Sequence, residues 1–293
     1  MPWLINAAQL DKFRKNQKQV VILDASWHLR SEQRNAHEEF LYRHIVDAKF
    51  LDLNLFHDTA TTLSNMLIRD ETKISQLVGA LGITNDHKII FYDRSLLHSS
   101  CRALWMFRVF GHHPNQLYIL DGGFSAWEKY GGKVESEETK SSSKNYAVNF
   151  DTHLVRSLMQ MKTNLNHPTE QVIDVRHPVR FAGGSEKSGI RSGHIRGSFS
   201  FPYMTMFESN GHFKSIEKIR RQLYAIGVEL NKPIVTMCGS GITASILNFV
   251  LDLLNHSSHA LYDGSWSEWG STQLYSGETD LSERPVVRSI DIQ

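Results

Sequence analysis

The chain has only two cysteines, Cys101 and Cys238, among 293 residues. Two thiols cannot build a disulfide scaffold, and such sparing use suits a reducing compartment. Neither charge is in excess: 32 Lys and Arg against 31 Asp and Glu leave a formal net charge of +1. Without a basic run, a nucleic-acid surface has no support. No stretch approaches the ~20 apolar residues that span a bilayer. The opening residues, MPWLINAAQLDKF, lack a basic segment followed by a long apolar one. The expectation is a soluble, cytoplasmic protein with no membrane or nucleic-acid partner. The 15 histidines are scattered, and His112-His113 has no partners at ligand spacing, so no metal and no cofactor are expected. What is present is ordinary: 41% hydrophobic residues suffice to bury a core, and the length suggests two domains.

The sequence repeats itself. The run VVILD, ending at Asp24, returns as QVID, ending at Asp174, 150 positions later. His44-Ile returns as His194-Ile at the same offset, and Asp121-Gly-Gly…Trp127 returns as Asp263-Gly-Ser…Trp269 after 142 positions. Landmarks in one order at nearly one spacing indicate a divergent tandem duplication. Between the copies, Lys133–Asn149 is polar and Ser-rich, as an exposed linker would be. In the second copy, Gln171–Val175, Ile234–Met237 and Ala260–Asp263 read as strands. Glu217–Ile226 and Ser245–Leu254 read as helices. Strands alternating with helices predict an α/β fold with a parallel sheet covered on both faces. Asp24, Asp174 and Asp263 fall at strand ends, where they cap the following turns.

The most informative stretch is Cys238-Gly-Ser-Gly-Ile-Thr-Ala244, between the strand Ile234–Met237 and the helix Ser245–Leu254. A glycine-bearing loop entering a helix offers backbone N–H groups and the positive end of a helix dipole. A thiol held there loses its proton easily, which marks Cys238 as a nucleophile. Cys101, inside SSCRALWMF, has no such loop and reads as a packing residue. Aligning the copies sets Asp93 opposite Cys238, and the loop after Asp93 has no glycine. The first copy therefore cannot supply a thiolate or the same cradle.

These features resemble the 3-mercaptopyruvate sulfurtransferases of the rhodanese superfamily, over about Val20 to Trp269. The resemblance implies two tandem rhodanese-like domains, each a five-stranded parallel sheet flanked by helices. It divides the chain into a non-catalytic domain (1–132), a linker (133–150), a catalytic domain (151–280) and a tail (281–293). It implies that Cys238 takes the sulfur of 3-mercaptopyruvate as a persulfide, releases pyruvate, and passes the sulfur to an acceptor. That acceptor is a thiol, such as thioredoxin or a small thiol, or cyanide. Backbone donors of Gly239, Gly241, Ile242 and Thr243 would cradle the persulfide. Ser240 either hydrogen-bonds the sulfur, relays a proton, or only closes the turn; Thr243 is expected to cap the helix. Arg180 matches a carboxylate-binding arginine of these enzymes. Lys187 falls nearest to a second one, with Arg191 as a fallback. An acidic residue of similar enzymes is Asn54 here, and strand alternation would turn Asp52 away.

Three other functions share part of this pattern. A thiosulfate-preferring sulfurtransferase shares fold and cysteine, but the rhodaneses proper carry basic residues in the loop where Gly239 and Ser240 stand. A cysteine phosphatase needs an arginine at the sixth position after the cysteine, which is Ala244. A non-catalytic binding module fits the first copy but not the intact second loop.

Overall fold

The computed structural model describes residues 3–16, 19–63, 65–137 and 141–289. The chain divides into two compact units. The first comprises Met1–Asp58, Leu67–Thr152 and Glu208–Phe213; the second comprises Thr59–Met66, His153–Phe207 and Lys214–Gln293. Each half of the sequence thus contributes one short segment to the other unit, which the linear division at 132 and 151 does not contain.

The first unit is built on five parallel strands in the order Leu4–Ile5, Leu117–Leu120, Lys88–Tyr92, Val20–Asp24 and Ala48–Phe50. The second repeats this layout with Val155–Arg156, His259–Tyr262, Ile234–Met237, Gln171–Asp174 and Phe199–Ser200. The central strands VVILD, KIIFY and IVTM are apolar in almost every position because helices cover both faces of the sheet. The helix Ala244–Leu253 is buried from Ala244 to Leu251. Its Ile246, Leu247, Phe249, Val250 and Leu251 each contribute roughly 1.5–3 kcal/mol by burial. By contrast, the helix Ile216–Ala225 buries only Ile219 and Leu223.

The duplication extends to side-chain detail. His44 stacks on Phe40 at 3.8 Å and donates Nδ1–H to the Phe40 carbonyl at 2.7 Å. His194 stacks on Phe181 at 3.8 Å and donates to its carbonyl at 2.8 Å. Each histidine opens a two-residue strand paired antiparallel, His44–Ile45 with Val134–Glu135 and His194–Ile195 with Val286–Val287. The indoles of Trp127 and Trp269 hold the incoming chain by donating to the carbonyls of Lys133 and Pro285.

Two sequence expectations change here. The segment 133–149 is more than an exposed linker: Val134–Glu135 is a strand and Tyr146 is buried against His112 and Phe107. Glu138, Thr139 and Lys140, within it, lie outside the described residues. The segment 281–289 is likewise structured. Arg284 is fully buried and its guanidinium donates to Glu278 and to the carbonyls of Glu268, Trp269, Ser271 and Gln273. Ile290–Gln293, the rest of the expected tail, lie outside the described residues.

Candidate active site

Cys238 is the first residue past the central strand Ile234–Met237 of the second unit. In a parallel sheet that position is where ligand chemistry concentrates. Three bonds fix the head of the loop. The Cys238 N–H donates to Ser265 Oγ at 3.2 Å, the Cys238 carbonyl accepts from Trp266 N–H at 3.0 Å, and the Gly239 carbonyl accepts from Ser267 N–H at 2.8 Å. Cys238 is 2% exposed, while Gly239 and Ser240 are half-buried. Gly241 has φ +81°, a left-handed turn that glycine enters readily. Among the described residues, the backbone N–H groups of Gly239, Ser240, Ile242 and Thr243 donate to no protein acceptor.

Thr243 does not cap the helix. It stands just before Ala244, but its helical φ −76° and ψ −17° leave its hydroxyl without a cap bond. A side-chain cap needs an extended residue at that place. Instead, Ser245 Oγ donates to the Ile242 carbonyl at 2.6 Å.

Arg180 lies on the short helix Pro178–Ala182 and its guanidinium rests against Gly239. A Cβ on Gly239 would come within 3.3 Å of Arg180 Nη1, so the missing side chain permits this approach. Arg180 Nε and Nη2 each donate to Glu186 at 2.8 Å. Burial opposes the guanidinium charge, but Glu186, with smaller help from Asp174, outweighs it and holds the group more firmly protonated. Glu186 also accepts from Arg176 Nη1 at 3.1 Å, and Arg176 pairs with Asp174 while stacking on Trp266 at 4.1 Å. Asp174, Arg176, Glu186 and Arg180 thus form a chain of alternating charge that runs from a strand end to Gly239. Asp174 does bond the following turn through Arg176 N–H, as expected, yet its larger partner is the Arg176 side chain.

Other expected residues stand apart from this chain. Lys187 is exposed and bonds to no described residue through its side chain. Arg191 directs its guanidinium to the carbonyls of Trp269, Gly270 and Leu281. Asn54 accepts from the Trp27 indole at 3.0 Å and donates to Asp52. Asp52 is not on a strand but caps the 3-10 turn Leu53–Phe56, so alternation does not govern its direction. Cys101 is fully buried, and burial together with the Asp93 charge pushes its thiol well up, as fits a packing residue. Sequence reasoning missed Glu186 and also Asn65, whose Nδ2 donates to Ser240 Oγ at 2.8 Å.

Residues 6–130 and 157–272 match the rhodanese-like domain. The chain belongs to the rhodanese family. It is 38% identical over 273 residues to thiosulfate/3-mercaptopyruvate sulfurtransferase 1, mitochondrial, of Arabidopsis thaliana, covering 85% of this chain and 71% of that one. It is 36% identical over 250 residues to the thiosulfate sulfurtransferase of Gallus gallus, covering 85% of each. Its structure resembles that of SseA from Escherichia coli, described as a 3-mercaptopyruvate sulfotransferase, with a TM-score of 0.83 and 30% identity. That likeness covers 92% of this chain and all of SseA (100%). The chain is a sulfurtransferase of this family.

Within this rhodanese-family chain the first unit carries a filled counterpart of the loop. Asp93 occupies the place of Cys238, and its carbonyl accepts from Phe124 N–H at 3.0 Å as that of Cys238 does from Trp266. The Asp93 carboxylate accepts from Ser95 N–H at 3.0 Å and Ser100 N–H at 2.8 Å. Arg94 replaces Gly239 and stacks on Phe124 at 3.6 Å. A cavity of about 390 Å³ adjoins this loop, lined among others by Asp93, Arg94, His98 and Phe124.

Proposed function

We propose that the chain transfers the sulfur of 3-mercaptopyruvate through a persulfide on Cys238. The Cys238 thiolate attacks the donor's sulfur. An S–S bond forms, the carbon–sulfur bond breaks, and its electron pair leaves as the enolate of pyruvate, which takes up a proton. Ser240 is the hydroxyl adjoining that step, able to donate a hydrogen bond to the sulfur or to the departing enolate. An acceptor thiolate, from a reduced thioredoxin or a small thiol, or cyanide, then attacks the outer sulfur and restores the Cys238 thiolate. The unengaged N–H groups of Gly239, Ser240, Ile242 and Thr243 support this reading, because they suit the charge borne by a persulfide. The first unit, whose loop already holds its own carboxylate, takes no part in the transfer.

The observation that favours a keto acid over thiosulfate is the neutrality of the loop beside Arg180. Gly239 to Ala244 contains no basic residue. The nearby guanidiniums of Arg176 and Arg180 are matched by Asp174 and Glu186. A balanced set with Arg180 Nη1 facing Gly239 suits the single charge of a carboxylate better than a dianion. Comparing kcat/KM for the two donors tests this directly, and a preference for thiosulfate overturns it. Arg180→Ala should cost ~1.5–3 kcal/mol with mercaptopyruvate. That is roughly 10- to 150-fold in kcat/KM. An unchanged value removes Arg180 from the site.

A further inference from the structure

Asn65 stands in the segment Thr59–Met66, which belongs to the second unit although it comes from the N-terminal half of the chain. It is 8% exposed, has φ +64°, and its Nδ2 donates to Ser240 Oγ at 2.8 Å across 175 positions of sequence. Asparagine is among the few residues with a side chain that enter the left-handed region readily, so the backbone here suits the amide.

A serine hydroxyl has one proton and two lone pairs. An amide N–H on one lone pair leaves the proton to point elsewhere, and it strengthens the hydroxyl as a donor. A carboxylate at position 65 would do the reverse, accepting the Ser240 proton and drawing it away from the reaction. We infer that Asn65 is a positioning residue for sulfur transfer, holding Ser240 as a hydrogen-bond donor in the Cys238 loop. An amide does not titrate, so Ser240 receives no proton from Asn65 and gives none to it. The inference rests on the role given above to Ser240.

Asn65→Gly keeps the backbone unstrained and removes the donor. It should lower kcat/KM for mercaptopyruvate roughly 3- to 10-fold without changing the unfolding midpoint. Asn65→Asp should lose as much at neutral pH and recover as pH falls below about 5, where a protonated carboxyl can donate again. Activity relative to the unaltered protein at each pH reads out this recovery. Ser240→Ala separates the two ideas. If Ser240→Ala leaves kcat/KM unchanged, the reading of Ser240 fails and the inference with it. If Ser240→Ala is impaired but Asn65→Gly is not, only the Asn65 inference falls. In the double variant Asn65→Gly should add nothing to Ser240→Ala. An equal loss in both backgrounds, or an Asn65→Asp profile parallel to that of the unaltered protein, overturns the inference.

Discussion

Cys101 and Cys238 carry the same thiol in different surroundings, and surroundings decide what a thiol does. Cys101 sits in the helix Ser100–Val109 with no exposure, and burial pushes its thiol up. In the folded protein a thiol-alkylating reagent should modify Cys238 alone, with Cys101 reacting only after unfolding. Peptide mapping by mass spectrometry reads the outcome, and native labelling of Cys101 would contradict it. His112 offers a pH test. Its Nε2–H donates to the His87 carbonyl at 3.0 Å and its Nδ1 accepts from the Tyr146 hydroxyl at 3.3 Å, an arrangement that requires the neutral ring. Burial pushes the imidazole down to about 4. An unfolded histidine titrates near 6.5, so between those values the unfolded chain binds the extra proton. Stability therefore falls as pH drops from about 6.5 toward 4, by up to about 3 kcal/mol from this residue. Urea unfolding at pH 7 and 4.5 should show a shallower pH slope for His112→Gln; equal slopes would count against it.

At the scale of elements, what is legible depends on whether a signal lies within one stretch of chain. The strand Ile234–Met237 and the helix after Cys238 announce themselves by apolar runs and a glycine loop. His44, His194, Trp127 and Trp269 mark the duplication because each keeps one bond in both units. The pairing strands Val134–Glu135 and Val286–Val287 are two residues long, too short to show a period. Polar composition around 133–149 concealed the burial of Tyr146. Glu186 and Asn65 were illegible for a different reason: their partners Arg176 and Ser240 are joined to them only by folding, the latter across 175 positions. The same holds for Arg284, whose burial gives the C-terminal segment its anchor. Arg284→Ala strands the buried Glu278 with Lys162 as its remaining cation and releases four carbonyls. It should destabilise the fold by about 3–5 kcal/mol in chemical denaturation. A loss below about 1 kcal/mol would mean the segment is not held by this side chain.

Over the whole chain, one architecture appears twice with two fillings. In the first unit a fixed carboxylate takes the backbone donors that follow the central strand. In the second, beside a cysteine, the N–H groups of Gly239, Ser240, Ile242 and Thr243 donate to no described residue, and an arginine lies against the adjoining glycine. On the proposed reading, duplication followed by divergence at Asp93 and Cys238 places the chemistry in one copy and leaves the other as scaffold. The decisive measurement is the intact mass of the protein after incubation with 3-mercaptopyruvate and no acceptor. A gain of one sulfur atom, absent in Cys238→Ser and reversed by a reducing thiol, is the expected result. An unchanged mass while pyruvate is released, or the same gain in Cys238→Ser, would contradict transfer through this residue.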